Sequence, residues 1–441
     1  MSGLSGRIRV LYSFPHRLGA DRICYTAWQQ VNGLAAAGAD VLACPGAMAR
    51  PVAQGVTVLP TLARGKFRIP YKLIGSMRAF ALHDAIVARR LERLADQIDL
   101  VHVWPLGAVR TLKTAARLGI PAVLERPNAN TRFAVEVVQR ECEQLGITLP
   151  PDHEYAYNAE RLRQEEEEYA LATRLLCPSD FVARTFLDRG YPENKLARHA
   201  YGFDEKTFRP TMEPRTPTRP FTMLFAGVCA VRKGVHYALE AWLHSDAHRD
   251  GVFLIAGDFL PAYAQKLAPL LSHLSVRVLG HRNDLPELMR NSDVLVLPSL
   301  EEGSALVTSE ARGSGCVLLV SDSAGAVCKH MENALVHAAG DTETLAAQIT
   351  VLYRDRQLLN ALRDSSLRTA GDLTWIAAGA KLLRVYRETI ASHSRGILSS
   401  RSTTPFLRPE TQLWSEDRPL HTDKTRLSHP VRHFSARARR H

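Results

Sequence analysis

No apolar run in this chain approaches the ~18 residues that a membrane-spanning helix needs, so a spanning helix is not expected. The opening MSGLSGRIRVLYSF moves directly into a strand-like run and lacks the long apolar core of an export signal, which predicts a cytoplasmic location. The seven cysteines (Cys24, Cys44, Cys142, Cys177, Cys229, Cys316, Cys328) are odd in number, scattered, and form no Cys-x-x-Cys pair. They read as reduced core residues, which argues against a disulfide framework and a zinc site. The net charge of +11 is concentrated at one end, where residues 391–441 hold 10 Lys or Arg against 4 Asp or Glu. This cationic tail lacks aromatic interleaving and any recognisable nucleic-acid module. Nucleic acid is therefore not an expected partner.

What is present is a chain of 441 residues with 46% apolar and 23% charged positions, the profile of a soluble globular protein too long for one core. Short apolar runs alternate with longer amphipathic stretches, the pattern of parallel strands joined by crossover helices. In the first half the strands are predicted at Arg7–Ser13, Asp40–Cys44, Asp99–Trp104, Pro121–Glu125 and Thr173–Ser179. The stretch Tyr201–Phe221 then brings four prolines and no apolar periodicity, which marks a linker. The alternation restarts at Phe221–Gly227, Gly251–Asp258, Val276–Gly280, Asp293–Ser299, Cys316–Asp322 and Ala334–Ala338. The fold class is α/β, with two doubly wound Rossmann-like domains facing a cleft. The expected domains are 1–210 and 211–373, followed by a helix over 374–392 and a disordered basic tail over 393–441.

The segment SLEEGSALVTSEARGSG (Ser299–Gly315) directly follows the apolar run DVLVLP. Ligands of an open parallel sheet sit beyond the carboxyl ends of its strands, and a helix starting near Ser304 would aim its unpaired amides there, forming a site for phosphate. Glu302 precedes that helix and Glu310 lies about two turns into it, so the two carboxylates would reach different groups. The alternative is that Glu302 is a dipole-favoured acid at a helix start and Glu310 faces solvent. FAGVCAVRKG (Phe225–Gly234) adds Gly227 at a strand end and Arg232 and Lys233 at the next helix start; these two are cations for a phosphate or a solvated helix end.

In order and spacing, GVCAVRKG, AGDFL, VRVLGHRNDLPELMRNSDVLVLPS, EEGSALVTSEARGSGCVLLVSD, ALVHAAGDTETLAAQI and LTWIAAGAKLLRVY resemble the nucleotide-binding half of the retaining glycosyltransferases of family 4, which have the GT-B fold. The resemblance runs from Phe221 to about Ile390. It implies a transfer from a nucleotide diphosphate sugar to a glycan, lipid-linked or small-molecule acceptor. Glu302 would hold the donor sugar, Glu310 the ribose, and the amides of Gly303, Ser304, Ala305 and Leu306 the pyrophosphate. Lys233, with Arg232 beside it, would neutralise the leaving diphosphate, while Val278–His281 would lie beside the base. No Asp-x-Asp triplet occurs in the chain, so neither a phosphate-bridging metal nor any other cofactor is expected. One position departs from the family: the Arg usually found after the first glycine is Val228 here. A catalytically inactive nucleotide-sugar-binding relative and a sugar-nucleotide epimerase of the same fold are the alternatives.

The first half is less telling. Gly19 fits the family's glycine-containing loop after the first strand, without the usual adjacent glycine pair. The histidine often found after the fourth strand is absent; Arg126 and Asn128 stand in that neighbourhood and are the acceptor-side candidates, Arg126 either on an anion or paired with Glu125 or with the acidic run Glu165–Glu168. That run reads as a solvated helix face. Residues 62–93 carry eight Lys or Arg against two acids, either a surface for peripheral contact with an anionic membrane or a solvated helix over the first sheet.

Overall fold

The computed structural model describes residues 6–64, 67–68, 75–211 and 219–401. In the first half, β1 (Arg9–Leu18), β2 (Asp40–Met48), β3 (Thr57–Val58), β6 (Leu100–Val103), β7 (Ala122–Glu125), β8 (Arg174–Cys177) and β9 (Leu196–Arg198) form one sheet, and β4 (Ala63–Arg64) and β5 (Phe67–Arg68) form a small ribbon. The sheet order is β3-β2-β1-β6-β7-β8-β9, with every pairing parallel. Val10, Leu11, Leu100, Val101, Val123, Leu124, Leu175 and Leu176 are fully buried. A parallel sheet covered by helices on both faces requires such uninterrupted apolar runs.

The second half repeats the design with β10 (Thr222–Ala226), β11 (Val252–Ala256), β12 (Val276–Gly280), β13 (Val294–Leu297), β14 (Val317–Ser321) and β15 (Ala334–His337), in the order β12-β11-β10-β13-β14-β15. Two parallel sheets flanked by helices make the GT-B arrangement expected from the sequence. The strand ends that face one another carry the loops that build the site.

The start of the connection between the sheets is held in place. Phe203 pairs with Thr374, and Gly202 is so close to the start of the last helix that a Cβ there would lie 2.4 Å from the Trp375 nitrogen. That helix, Trp375–Arg401, returns to the first sheet, where Leu382, Leu383, Val385 and Tyr386 join the core around β1. A glycine contact brings it near, since a Cβ on Gly379 would meet Gly33 at 2.5 Å. The helix passes the boundary at 393 expected for a disordered tail, as the hydroxyls of Ser392 and Ser394 cap the Thr389 and Ile390 carbonyls without breaking it. Residues 402–441, the rest of that tail, lie outside the described residues.

The acidic run of the helix Ala159–Leu171 also departs from its expectation. Glu165 and Glu168 are buried, and only Glu166 and Glu167 reach solvent. Two of four consecutive residues on a helix must face inward when the helix is packed, and here the inward pair finds partners. Glu165 meets Arg126, and Glu168 accepts the Leu106 and Ala108 amides.

Candidate active site

A cleft of about 700 Å³ opens between the two sheets. The loop after β10 contributes Gly227, Val228, Arg232 and Lys233, and the loop after β13 contributes Glu302, Ser304, Ala305 and Leu306. Opposite them stand Arg22 and Thr26 at the start of the first helix, Asn128 after β7, and Leu149, His153 and Tyr155 from the loop after the helix Thr131–Leu145.

Glu302 is the electrostatic centre of this wall. Arg232 Nη1 donates to its Oε1 at 2.8 Å, and the Lys233 ammonium contacts the same oxygen. Burial would raise the Glu302 carboxyl, but the two cations overcome it and hold the group below the usual carboxylate range. For Lys233, burial outweighs the pull of Glu302 and lowers the ammonium. Burial opposes the Arg232 charge too, yet Glu302 and its neighbours raise that group above its ordinary value. Two cations on one carboxylate leave N–H groups to spare, and these are suited to an incoming diphosphate.

The helix after β13 spans Leu306–Ser314, two residues later than expected, so its first-turn amides begin at Leu306 rather than Ser304. They stand at the edge of the cleft, where an α-helix leaves N–H groups without intrahelical partners. Gly303 makes the close backbone approach that a glycine permits. A Cβ at 303 would lie 1.6 Å from the Pro127 carbonyl oxygen, and the Ser179 hydroxyl donates to the Gly303 carbonyl at 2.5 Å. Gly303 is thus a point where the second domain's backbone touches the first, and only a residue without a side chain fits there.

Of the remaining candidates, Glu310 lies outside the cleft lining but near Tyr25 of the first domain; burial, with no cation beside it, pushes its carboxyl up to about 7. His281 is exposed beyond the end of β12, at the edge of the sheet. Gly19, with φ of 83°, sits in a turn against Arg50 rather than in the cleft. Arg126 is 2% exposed, and its guanidinium bonds Glu165 at 3.0 Å, the Ala129 carbonyl and Thr131 Oγ1, and stacks 4.5 Å over Tyr169. Of the two readings of Arg126, an anion site or an ion pair with Glu125 or the run Glu165–Glu168, the structure has the ion pair with Glu165. Asn128 does reach the cleft.

Sequence reading missed Glu301. Its carboxylate is fully buried and accepts from the Ala129 N–H at 3.0 Å and the Tyr155 hydroxyl at 2.8 Å. Both donors come from the first half of the chain, so no local pattern around residue 301 could have announced them.

Residues 220–355 match the family model described as "Glycosyl transferases group 1". Over 118 residues, 26% of this chain, it is 29% identical to the N,N'-diacetylbacillosaminyl-diphospho-undecaprenol alpha-1,3-N-acetylgalactosaminyltransferase of Campylobacter jejuni. That stretch spans only 31% of the relative's length. Among solved structures, sucrose-phosphate synthase from Thermosynechococcus elongatus aligns over 88% of this chain and 100% of its own, with 18% identity and a TM-score of 0.63. The Anabaena protein HepE, solved in complex with UDP, covers the same shares with 17% identity and a TM-score of 0.58. The described architecture is therefore the GT-B fold, and residues 220–355 are similar to the glycosyl transferases group 1.

Proposed function

We propose that the chain transfers a sugar from a nucleotide diphosphate sugar to an acceptor, with retention at the anomeric carbon and without a bound metal. The observation that carries this reading is the convergence of Arg232 and Lys233 on Glu302 beside the amides that open the helix at Leu306. On donor binding, the diphosphate takes the free N–H groups of the two cations and the helix amides, and Glu302 accepts hydrogen bonds from sugar hydroxyls. The acceptor oxygen then bonds to the anomeric carbon as the bond to the diphosphate breaks, and the acceptor proton passes to the departing diphosphate oxygen on the same face. The negative charge that grows there meets preorganised donors, the kind of stabilisation worth most in a closed site. In this reading Arg232 and Lys233 supply the positive charge that the diphosphate meets.

UDP-sugars are the first donors to try, because HepE was solved with UDP. A lipid-linked acceptor fits the diphospho-undecaprenol substrate in the name of the Campylobacter jejuni relative. The helix Ser76–Arg93 supports docking at an anionic membrane, with Arg78, Arg89 and Arg93 exposed around Leu82, itself 40% exposed. Sedimentation with anionic but not neutral vesicles is expected, and equal sedimentation with both removes the membrane proposal.

The test of function is a melting screen with UDP, GDP and ADP, followed by transfer assays with the matching sugars and determination of the product anomer. A ligand at ~100 times its dissociation constant should add about 2.7 kcal/mol to stability. Inversion at the anomeric carbon would end the mechanism above. Val228, 47% exposed on the cleft wall where the family has Arg, favours a second reading. In that reading nucleotide binds and no sugar moves.

A further inference from the structure

We propose that Glu301 is a positioning residue that latches the acceptor-side wall of the cleft onto the donor site, through Ala129 and Tyr155. The proposal rests on the transferase reading for its kinetic consequences but on geometry for the latch itself. Glu301 follows β13 in the second domain and is fully buried. Its Oε1 accepts from the Ala129 N–H at 3.0 Å, in the turn after β7, and its Oε2 accepts from the Tyr155 hydroxyl at 2.8 Å. A buried carboxylate is tolerable only while its lone pairs are satisfied. The Ala129 amide belongs to the turn after β7, while Tyr155 belongs to a segment of the first half that packs with Ala134, Val138 and Cys142 into the apolar core of the second sheet, so Glu301 ties that segment to the turn after β7 and domain separation would strip the carboxylate of the Ala129 donor.

The same cluster reaches the donor site through Arg232. Its Nη1 donates to the Glu301 main-chain oxygen at 2.9 Å and to Glu302 Oε1 at 2.8 Å, lies 3.6 Å from Glu301 Oε2, and its guanidinium sits 5.4 Å from the Tyr155 ring centre. Arg232 therefore belongs both to the latch and to the diphosphate-facing wall. Tyr155 also carries with it Leu149 and His153, which line the cleft from the same loop. Seating Tyr155 on Glu301 thus completes the acceptor wall and orients a donor-site cation in one event.

The test uses the full chain, with UDP as the probe. Tyr155→Phe removes one oxygen and Glu301→Leu removes both acceptor oxygens at near-constant volume, so both should fold. X-ray scattering with saturating UDP should show a larger radius of gyration for each variant than for the wild type, while the melting temperature stays close. Turnover should fall ~10-fold, as for loss of a hydrogen bond to a charged group, with donor KM within ~2-fold. A merely structural contact would not split the two constants in this way. Scattering curves that superimpose on the wild type overturn the latch whatever the kinetics show. If the variants expand but the wild type transfers no sugar, the latch stands and the transferase reading falls.

Discussion

Glu125 at the end of β7 and Glu302 just after β13 are buried carboxylates at comparable places in the two sheets, and they are used in opposite ways. Glu125 accepts from the Gln30 amide, the His199 ring and the Tyr201 hydroxyl, each at 2.9 Å, with His102 at 3.5 Å. The last helix seals this cluster by placing the Tyr386 hydroxyl on His102 Nδ1 at 2.5 Å. Glu302 meets two cations in the wall of an open cleft. Burial would raise both carboxyls, and in both cases the partners reverse the effect. A perturbed carboxylate is therefore not by itself the mark of a reactive site. The partners decide: side chains with few N–H or O–H groups are used up by the carboxylate, whereas Arg and Lys keep donors for a ligand.

The sharpest way to break this comparison is to remove each carboxylate's setting in turn. Glu125→Ala strips Gln30, His199 and Tyr201 of a buried acceptor and should cost about 3–5 kcal/mol, the range for breaking a buried ionic group's network. The melting transition should fall well below the wild type, while UDP affinity of the folded fraction stays the same. A variant that melts with the wild type would show that the sealed network is dispensable.

Lys233→Ala should lower turnover by ~100-fold or more, as expected for one preorganised charge-stabilising group, with little loss of stability relative to Glu125→Ala. Arg232→Ala should cost less if Lys233 carries the main charge. Placing the missing cation back with Val228→Arg in the Arg232→Ala background should recover part of that loss. Full activity in Lys233→Ala would mean that the cation pair on Glu302 is only structural, like the network around Glu125.

Much of the frame was legible because buried parallel strands announce themselves as apolar runs. VRVLG is β12 residue for residue, and DVLVLPS contains β13. β3 and β9 escaped because two- and three-residue strands leave no run to read. The site divides the same way. Lys233 and Glu302 sit in local motifs at fixed distances from strand ends, so their places followed from the order of the chain. Arg126 kept two readings, an anion site or a pair with Glu125 or the run Glu165–Glu168, because its partner Glu165 lies 39 residues on, and Glu301 drew no reading because its partner Tyr155 lies 146 residues back. Pairings of this range are set by how helices and domains pack, which no window of sequence contains.

Glu310 offers the smallest and finest test, because it is a third carboxylate with neither a neutral network nor a cation. Burial alone pushes it up to about 7, against an ordinary value of 4.5. A group whose folded pKa is raised holds its proton longer in the native state than in the unfolded chain, so stability declines as pH rises from about 4.5 through about 7. Glu310→Gln removes that decline. The variant should match the wild type near pH 4 and exceed it at pH 8 by on the order of 1 kcal/mol, a figure reduced from the full shift because the side chain is partly open to solvent. If the carboxylate is held for a ribose hydroxyl, the same variant should bind UDP more weakly at pH 8 while being more stable without ligand. Denaturant melts at the two pH values, with and without UDP, separate the two effects. Equal stability of variant and wild type at both pH values would mean that Glu310 is as well solvated as any surface acid, and its place beside the cleft would then carry no charge strain for a ligand to relieve.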